Sequence, residues 1–245
     1  MKILAVIPAR YESTRLPGKM LLDIQGKSLI NRVFEAVSSC RVLDRVVVAV
    51  DHEKVRQHVE SFGGEALVTG VDLSSGTDRC AQVLDMLPDY THVINVQGDE
   101  PFIREREIDL LVEILNRFDS DIASLMCPIA ADENVFNPNL VKVVTTIEGE
   151  ALYFSRSAIP YVRGEEPSLW ASRSCYMKHL GLYGFKAEIL RSITRLPVSR
   201  YESLEKLEQL RWLENGYKIR MGETDYKGIG IDTEEDLQMA REILK

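Results

Sequence analysis

The sequence predicts an α/β fold, a mostly parallel sheet flanked by helices, with a smaller antiparallel subdomain. Three observations predict it. Short apolar runs such as "RVVVAV" (Arg45–Val50) alternate with helical periodicities through the first half of the chain. Near Asn137 this alternation gives way to a hairpin pattern turned by Glu148-Gly149-Glu150, and helices return afterwards. The 245 residues suit one domain carrying an insertion, or two small domains.

The elements follow in order. "ILAVI" (Ile3–Ile7) reads as a buried strand. Ser28 opens a helix whose apolar positions are Leu29, Ile30, Val33, Phe34 and Val37. After Arg45–Val50, Asp51 is placed to cap a helix over His52–Phe62 that ends at Gly63-Gly64. "EALV" (Glu65–Val68) is a short third strand, followed by a helix from about Thr77 to Leu87. "THVINV" (Thr91–Val96) is a fourth strand, leading through "QGDEP" to a helix from about Arg104 to Phe118. "DIASLMC" (Asp121–Cys127) is the fifth. A hairpin lies in "LVKVVTTIEGEALYFSR", a polar loop in "GEEPSLWASRS" (Gly164–Ser174), and another strand in "KHLGLYGF" (Lys178–Phe185). "LEKLEQLRWLENG" (Leu204–Gly216) reads as one helix with Leu204, Leu207, Leu210 and Leu213 as its buried stripe. In "GIDTEEDL", Thr233 and Asp236 form a capping box for the last helix.

Composition narrows the function. A net charge of −8 argues against a nucleic-acid or anionic-membrane surface. No apolar run approaches a membrane span. The opening "MKILAVIPAR" lacks the features of a signal peptide, and Cys40, Cys80, Cys127 and Cys175 are scattered without metal-ligand spacing. Reduced thiols and a cytoplasmic location are therefore expected.

Against that negative charge, "PARYESTRLPGKML" (Pro8–Leu21) gathers Arg10, Arg15 and Lys19 in a loop directly after the first strand. Open α/β sheets bind ligands at the carboxyl ends of their strands. Loop N–H groups with Arg and Lys there suit a nucleoside triphosphate. The spacing is neither a P-loop nor a dinucleotide fingerprint. "NVQGDEP" sets Asp99 and Glu100 beyond another strand end, where a carboxylate can hold Mg²⁺ against phosphates or can simply complement a helix N-terminus. Asp232 stands just before the last helix as a helix-start charge, and the Gly-rich "KGIGID" approach to it could admit a ligand closely. Strand alternation puts His179, Gly181, Tyr183 and Phe185 on one face, suited either to a polyhydroxylated ligand or to ordinary packing.

Taken together, "IPARYESTRLPGK", "SSGTDR", "NVQGDEP", "FNPNLVKVV", "ALYFSRSAIPY", "KHLGLYGF", "LEKLEQLRWLENG" and "GIDTEEDL" closely resemble the 3-deoxy-manno-octulosonate (KDO) cytidylyltransferases, the CMP-KDO synthetases. The resemblance runs from the first strand to the last helix. It implies a Rossmann-like nucleotide-binding core (residues 1–129 and 187–245) and an antiparallel insertion (130–186) that contributes to the sugar site and a homodimer contact. It implies CTP and KDO as substrates, Mg²⁺ as cofactor, and a place in lipopolysaccharide synthesis. Arg10, Ser13, Thr14, Arg15 and Lys19, with Ser75, Gly76 and Arg79, would bind the nucleotide. Gln97, Arg156, His179, Tyr183, Glu208 and Gln209 would line the sugar-acid site. Asp99 and Asp232 would bind the metal and, with Arg15 and Lys19, form the catalytic set. Lys178 stands where Arg is expected before "HLG", and the resemblance assigns no role to Arg163 or Arg173. A CMP-sialic acid synthetase would be expected to lack "RYESTRLPGK", and a non-catalytic nucleotide-binding regulator would not need both aspartates.

Overall fold

Ile3–Ala9 is buried along its whole length, because a strand inside a sheet covered on both faces has no solvent side. This strand, β1, lies near the middle of the sheet in a computed structural model that describes residues 1–13, 15–118, 120–130, 132–173 and 176–244, Arg173 through its backbone alone. The first elements after it are β2 (Asp23–Ile24), β3 (Lys27–Ser28), α1 (Leu29–Ser38), β4 (Arg45–Val50), α2 (Glu53–Ser61), β5 (Ala66–Val68), α3 (Gly76–Met86) and β6 (His92–Asn95). Then come α4 (Glu105–Arg117), β7 (Ile122–Pro128), β8 (Lys142–Thr145), β9 (Ala151–Ser155), α5 (Trp170–Arg173), β10 (Met177–Lys186) and α6 (Ala187–Ile193). α7 (Arg200–Glu205), α8 (Gln209–Glu214), β11 (Ile219–Glu223) and α9 (Glu234–Ile243) complete the chain.

The main sheet runs β11-β7-β10-β6-β1-β4-β5. Its neighbours pair in parallel except at β10, which is antiparallel to both β6 and β7. The pleat of β1 divides the interior in two. Ile3, Ala5 and Ile7 pack with α1, α2, α4 and α9, while Leu4 and Val6 pack with α3, α6 and α8. The β8–β9 hairpin, with Gly149 at φ +85°, joins the edge of β10 at Met177 and Lys178. β10 lies within the expected 130–186 segment and joins it to the central sheet. Its first residues carry the hairpin, and Tyr183–Lys186 pair with β6 in the central sheet.

Four local expectations need correction. The cap of α2 is His52, whose ring nitrogen accepts from Lys54 N, and Asp51 bonds elsewhere. The expected helix over Leu204–Gly216 is two helices, broken where Lys206 adopts φ 54°. Leu207 and Leu210 are consequently buried, but Leu204 is 72% exposed. The supposedly polar loop over Gly164–Ser174 contains α5, and its Trp170 is buried against Ile129, Val135 and Tyr176. β11 and α6 were not anticipated at all.

Candidate active site

The loops that follow β1, β4, β5 and β6 all leave the same edge of the sheet, because these strands are parallel. The loop after β1 is anchored by Asp51 at the end of β4. Tyr11 N donates to Asp51 Oδ1 at 2.9 Å, and the Arg10 guanidinium lies 3.9 Å from Oδ2. Gly18, at φ +66°, turns the chain into a single 3-10 turn over Lys19–Leu21. The Lys19 side chain, 8% exposed, then reaches across the cleft floor.

Its ammonium lies 2.7 Å from Asp99 Oδ2 and 3.0 Å from Asp232 Oδ1. Arg15 Nη2 donates to the other oxygen of Asp232 at 2.9 Å. Burial works against the Lys19 charge, but Asp99 and then Asp232 outweigh it, and the pKa of Lys19 is raised. The two aspartates, far apart in sequence, thus meet on one cation. The approach is tight on the other side too. A Cβ on Gly98 would stand 2.6 Å from Pro8 O, so only glycine lets the loop after β6 rest on the end of β1.

A cleft of about 320 Å³ opens here. Arg10, Ser13, Arg15, Lys19, Gly76, Gln97, Asp99 and Asp232 line it. Thr14 lies outside the described residues. Ser75 caps α3 in a capping box with Asp78, and the first helical residue, Gly76, borders the cleft. An anion there would meet a helix N-terminus.

Arg79 does not line the cleft. It is 0% exposed and donates to Thr69 Oγ1 (2.7 Å), Gly70 O (3.2 Å) and Asp51 Oδ2 (3.0 Å). Its guanidinium is occupied beneath the site, where it holds the carboxylate that anchors the loop of Arg10 and Tyr11. Direct contact with nucleotide, the role expected for Arg79, is not what this geometry supports.

The residues expected around the sugar acid divide into two groups. Gln97 Nε2 donates to Gly181 O at 3.2 Å, which ties the cleft to β10. Glu208, ahead of α8, accepts from Ser75 Oγ (3.0 Å), Thr77 Oγ1 (2.7 Å) and Arg211 Nη2 (2.7 Å). Burial raises the Glu208 pKa against the pull of those hydroxyls. Its charge is felt at Tyr183, whose own pKa burial pushes up. Tyr183 stacks on Phe185 and meets Trp212 edge-on, and Gln209 is buried beside Glu208. His179 lies 5.4 Å from Tyr183, ring to ring. Ser124 Oγ donates to Leu182 O at 2.8 Å, leaving its oxygen to accept from His179 Nε2 at 3.0 Å. Burial pushes the His179 pKa down to about 3, so the ring is neutral.

Arg156 stands apart from this group. It donates to Glu205 O, Pro138 O and Lys206 O, beside a second pocket bordered by Phe136 and Trp170. The buried Lys142 ammonium, donating to Asn137 O, Leu140 O and Arg156 O, fixes the same loop.

Sequence reasoning missed Asp51, Thr77 and Arg211. Asp51 carried a signal, as a carboxylate directly after a buried strand, but helix capping accounted for it equally well. Glu100, beside Asp99, also proves unusual. It is buried, and burial followed by the Asp99 charge pushes its pKa up to about 7.

Cations, carboxylates and a helix N-terminus gathered at the strand ends of an open α/β sheet define a nucleotidyltransferase-type site. The cytidylyltransferase family model matches residues 4–219. The 3-deoxy-manno-octulosonate cytidylyltransferase of Porphyromonas gingivalis is 48% identical over 98% of this chain and 95% of that protein. Its counterpart in Parabacteroides distasonis is 46% identical over 98% and 97%. The structure of CMP:2-keto-3-deoxy-manno-octonic acid synthetase complexed with CTP superposes with a TM-score of 0.93 at 41% identity, covering 100% of this chain and 98% of that one. The chain belongs to the cytidylyltransferases, and among them to the 3-deoxy-manno-octulosonate cytidylyltransferase family.

Proposed function

We infer that the protein activates KDO with CTP, giving CMP-KDO and pyrophosphate. Family membership supplies the reaction, and the convergence of Asp99, Asp232 and Arg15 around Lys19 carries its assignment to this cleft. The anomeric hydroxyl of the sugar acid attacks the α-phosphorus of CTP. A new P–O bond forms, the bond to the β-phosphate oxygen breaks in line, and the hydroxyl proton is released. Arg10, Arg15 and Lys19 offset the repulsion between a polyanionic nucleotide and an anionic sugar and stabilise the departing pyrophosphate. Ser13 and the N-terminus of α3 at Ser75 and Gly76 add neutral donors.

Mg²⁺ fits this donor set. The cleft lining counts three cations, Arg10, Arg15 and Lys19, against three carboxylates, Glu12, Asp99 and Asp232, so it carries no net positive charge with which to meet a triphosphate. Two carboxylates already drawn to one cation, open to a cleft, form the kind of oxygen set that magnesium completes with water and phosphate. Asp99 and Asp232 would hold the ion, which supplies charge neutralisation and Lewis acidity when bound.

Gln97, His179, Tyr183, Glu208 and Gln209 are assigned to the sugar acid; of these Gln97 lines the cleft, and Glu208 borders a separate pocket beside Ser75 and Arg211. His179 acts there as a neutral, oriented ring and not as a titrating base. Arg156, expected with them, is held by backbone carbonyls beside the second pocket and is given no contact with the sugar in this reading. Residues 130–186 are read as the segment meeting a second copy. The exposed apolar side chains Ile147, Leu152, Tyr161 and Leu169 support that reading. Among the described residues no helix is long and apolar enough to cross a membrane. A cytoplasmic homodimer serving lipopolysaccharide synthesis completes the proposal. Coupled measurement of pyrophosphate release from CTP and KDO tests it.

A further inference from the structure

Asp232 meets Lys19 from a segment, residues 224–232, that is clasped to the rest of the molecule at Thr224, Tyr226 and Ile231, with Asp225 also accepting from Arg104 Nη2 at 2.7 Å. At the start, Thr224 N donates to Met126 O (3.0 Å) and Thr224 Oγ1 to the buried Glu107 Oε1 (2.8 Å). At the end, Ile231 N donates to Asp99 O at 2.9 Å. Between them, the buried Tyr226 hydroxyl donates to Glu100 Oε2 at 3.1 Å. Gly228 passes close beside this contact at φ +63°, and a Cβ there would lie 2.9 Å from Leu180 Cδ2.

A carboxyl buried beside Asp99 is costly, and an apolar residue would fill the space more cheaply. What an apolar residue could not do is bond the segment that delivers Asp232. Glu100 is the neighbour of one proposed metal ligand, and Tyr226 lies on the segment carrying the other. Their hydrogen bond spans the two loops below the point where the carboxylates meet.

We propose that Tyr226 and Glu100 are positioning residues whose mutual hydrogen bond sets the spacing of the Asp99 and Asp232 carboxylates. The inference rests on the metal reading above. Supporting residues behind metal ligands commonly change metal affinity by about 10–100-fold when removed.

The test is Mn²⁺ binding to the CTP complex, followed by electron paramagnetic resonance, beside the Mg²⁺ dependence of turnover. Tyr226→Phe deletes the donor and keeps the ring. It should weaken Mn²⁺ binding about 10-fold and raise the Mg²⁺ requirement in parallel. At saturating Mg²⁺ its kcat should recover and its KM for KDO should be unchanged. Glu100→Gln retains an acceptor and should restore binding towards wild type, whereas Glu100→Leu should behave as Tyr226→Phe. Wild-type Mn²⁺ affinity in Tyr226→Phe, or loss of fold in both Tyr226→Phe and Glu100→Leu, overturns the proposal. Asp99→Asn separates the two readings. If that variant keeps full Mn²⁺ binding, the metal assignment itself is at fault.

Discussion

Lys19 Nζ lies 2.7 Å from Asp99 Oδ2, although 80 residues separate them. The contact joins the loop after β1 to the loop after β6. Because the same ammonium also meets Asp232, it brings the last loop of the chain to the same point.

Lys19→Ala and Arg15→Ala should therefore impair CTP use more than they impair folding. Loss of one preorganised electrostatic group commonly costs about 10²–10³ in rate. Steady-state kinetics with CTP varied should show the loss in kcat/KM, larger for the buried Lys19 than for the exposed Arg15.

Asp99→Asn and Asp232→Asn keep shape but remove an anion from the pair. Each should raise the Mg²⁺ concentration needed for half-maximal turnover and slow the chemical step, with circular dichroism and Tm close to wild type. Full activity at low magnesium in both variants would remove the metal from this position.

Arg79 predicts a stability effect. Arg79→Met leaves the Asp51 carboxylate without its buried partner, which costs about 3–5 kcal/mol in comparable cases. Thermal unfolding should shift down by roughly 10 °C. A shift of a degree or less would mean that Asp51 does not depend on Arg79.

His179 predicts a pH dependence. Burial depresses its folded pKa to about 3 from the ordinary imidazole value of 6.5, so between those limits the unfolded chain binds a proton that the folded chain refuses. The contribution is absent above pH about 6.5. Below it, stability falls as pH falls, by up to about 1.4 kcal/mol per unit. His179→Asn should flatten the slope of unfolding free energy between pH 4 and 6 by about one proton, and its kinetic defect should fall on KDO rather than CTP.

The alternation of β1, β4, β5 and β6 with α1 to α3 was legible because buried parallel strands are apolar throughout and their helices keep a clean periodicity. Strand ends pointed to Lys19 and Asp99, but the joining of Asp232 to them came only from the family resemblance, because Asp232 follows no strand directly and stands before the last helix. Arg79 is given a nucleotide role by the resemblance alone, and the sequence does not show that the Asp51 carboxylate already claims it. Lys206 misled because a positive φ at a non-glycine residue leaves no compositional trace, so two short helices read as one. Glu100 stood out only as a strand-end carboxylate beside Asp99, and its bond to Tyr226 carried no signal, since that bond depends on where a long segment returns to the sheet.

The most direct test of the account is pyrophosphate release by the purified protein given CTP and KDO, with CMP-KDO quantified alongside. The account predicts equimolar pyrophosphate and CMP-KDO, dependent on both substrates and on magnesium, and largely lost in Asp232→Asn. Pyrophosphate release that ignores KDO, or that appears only with sialic acid, would contradict it.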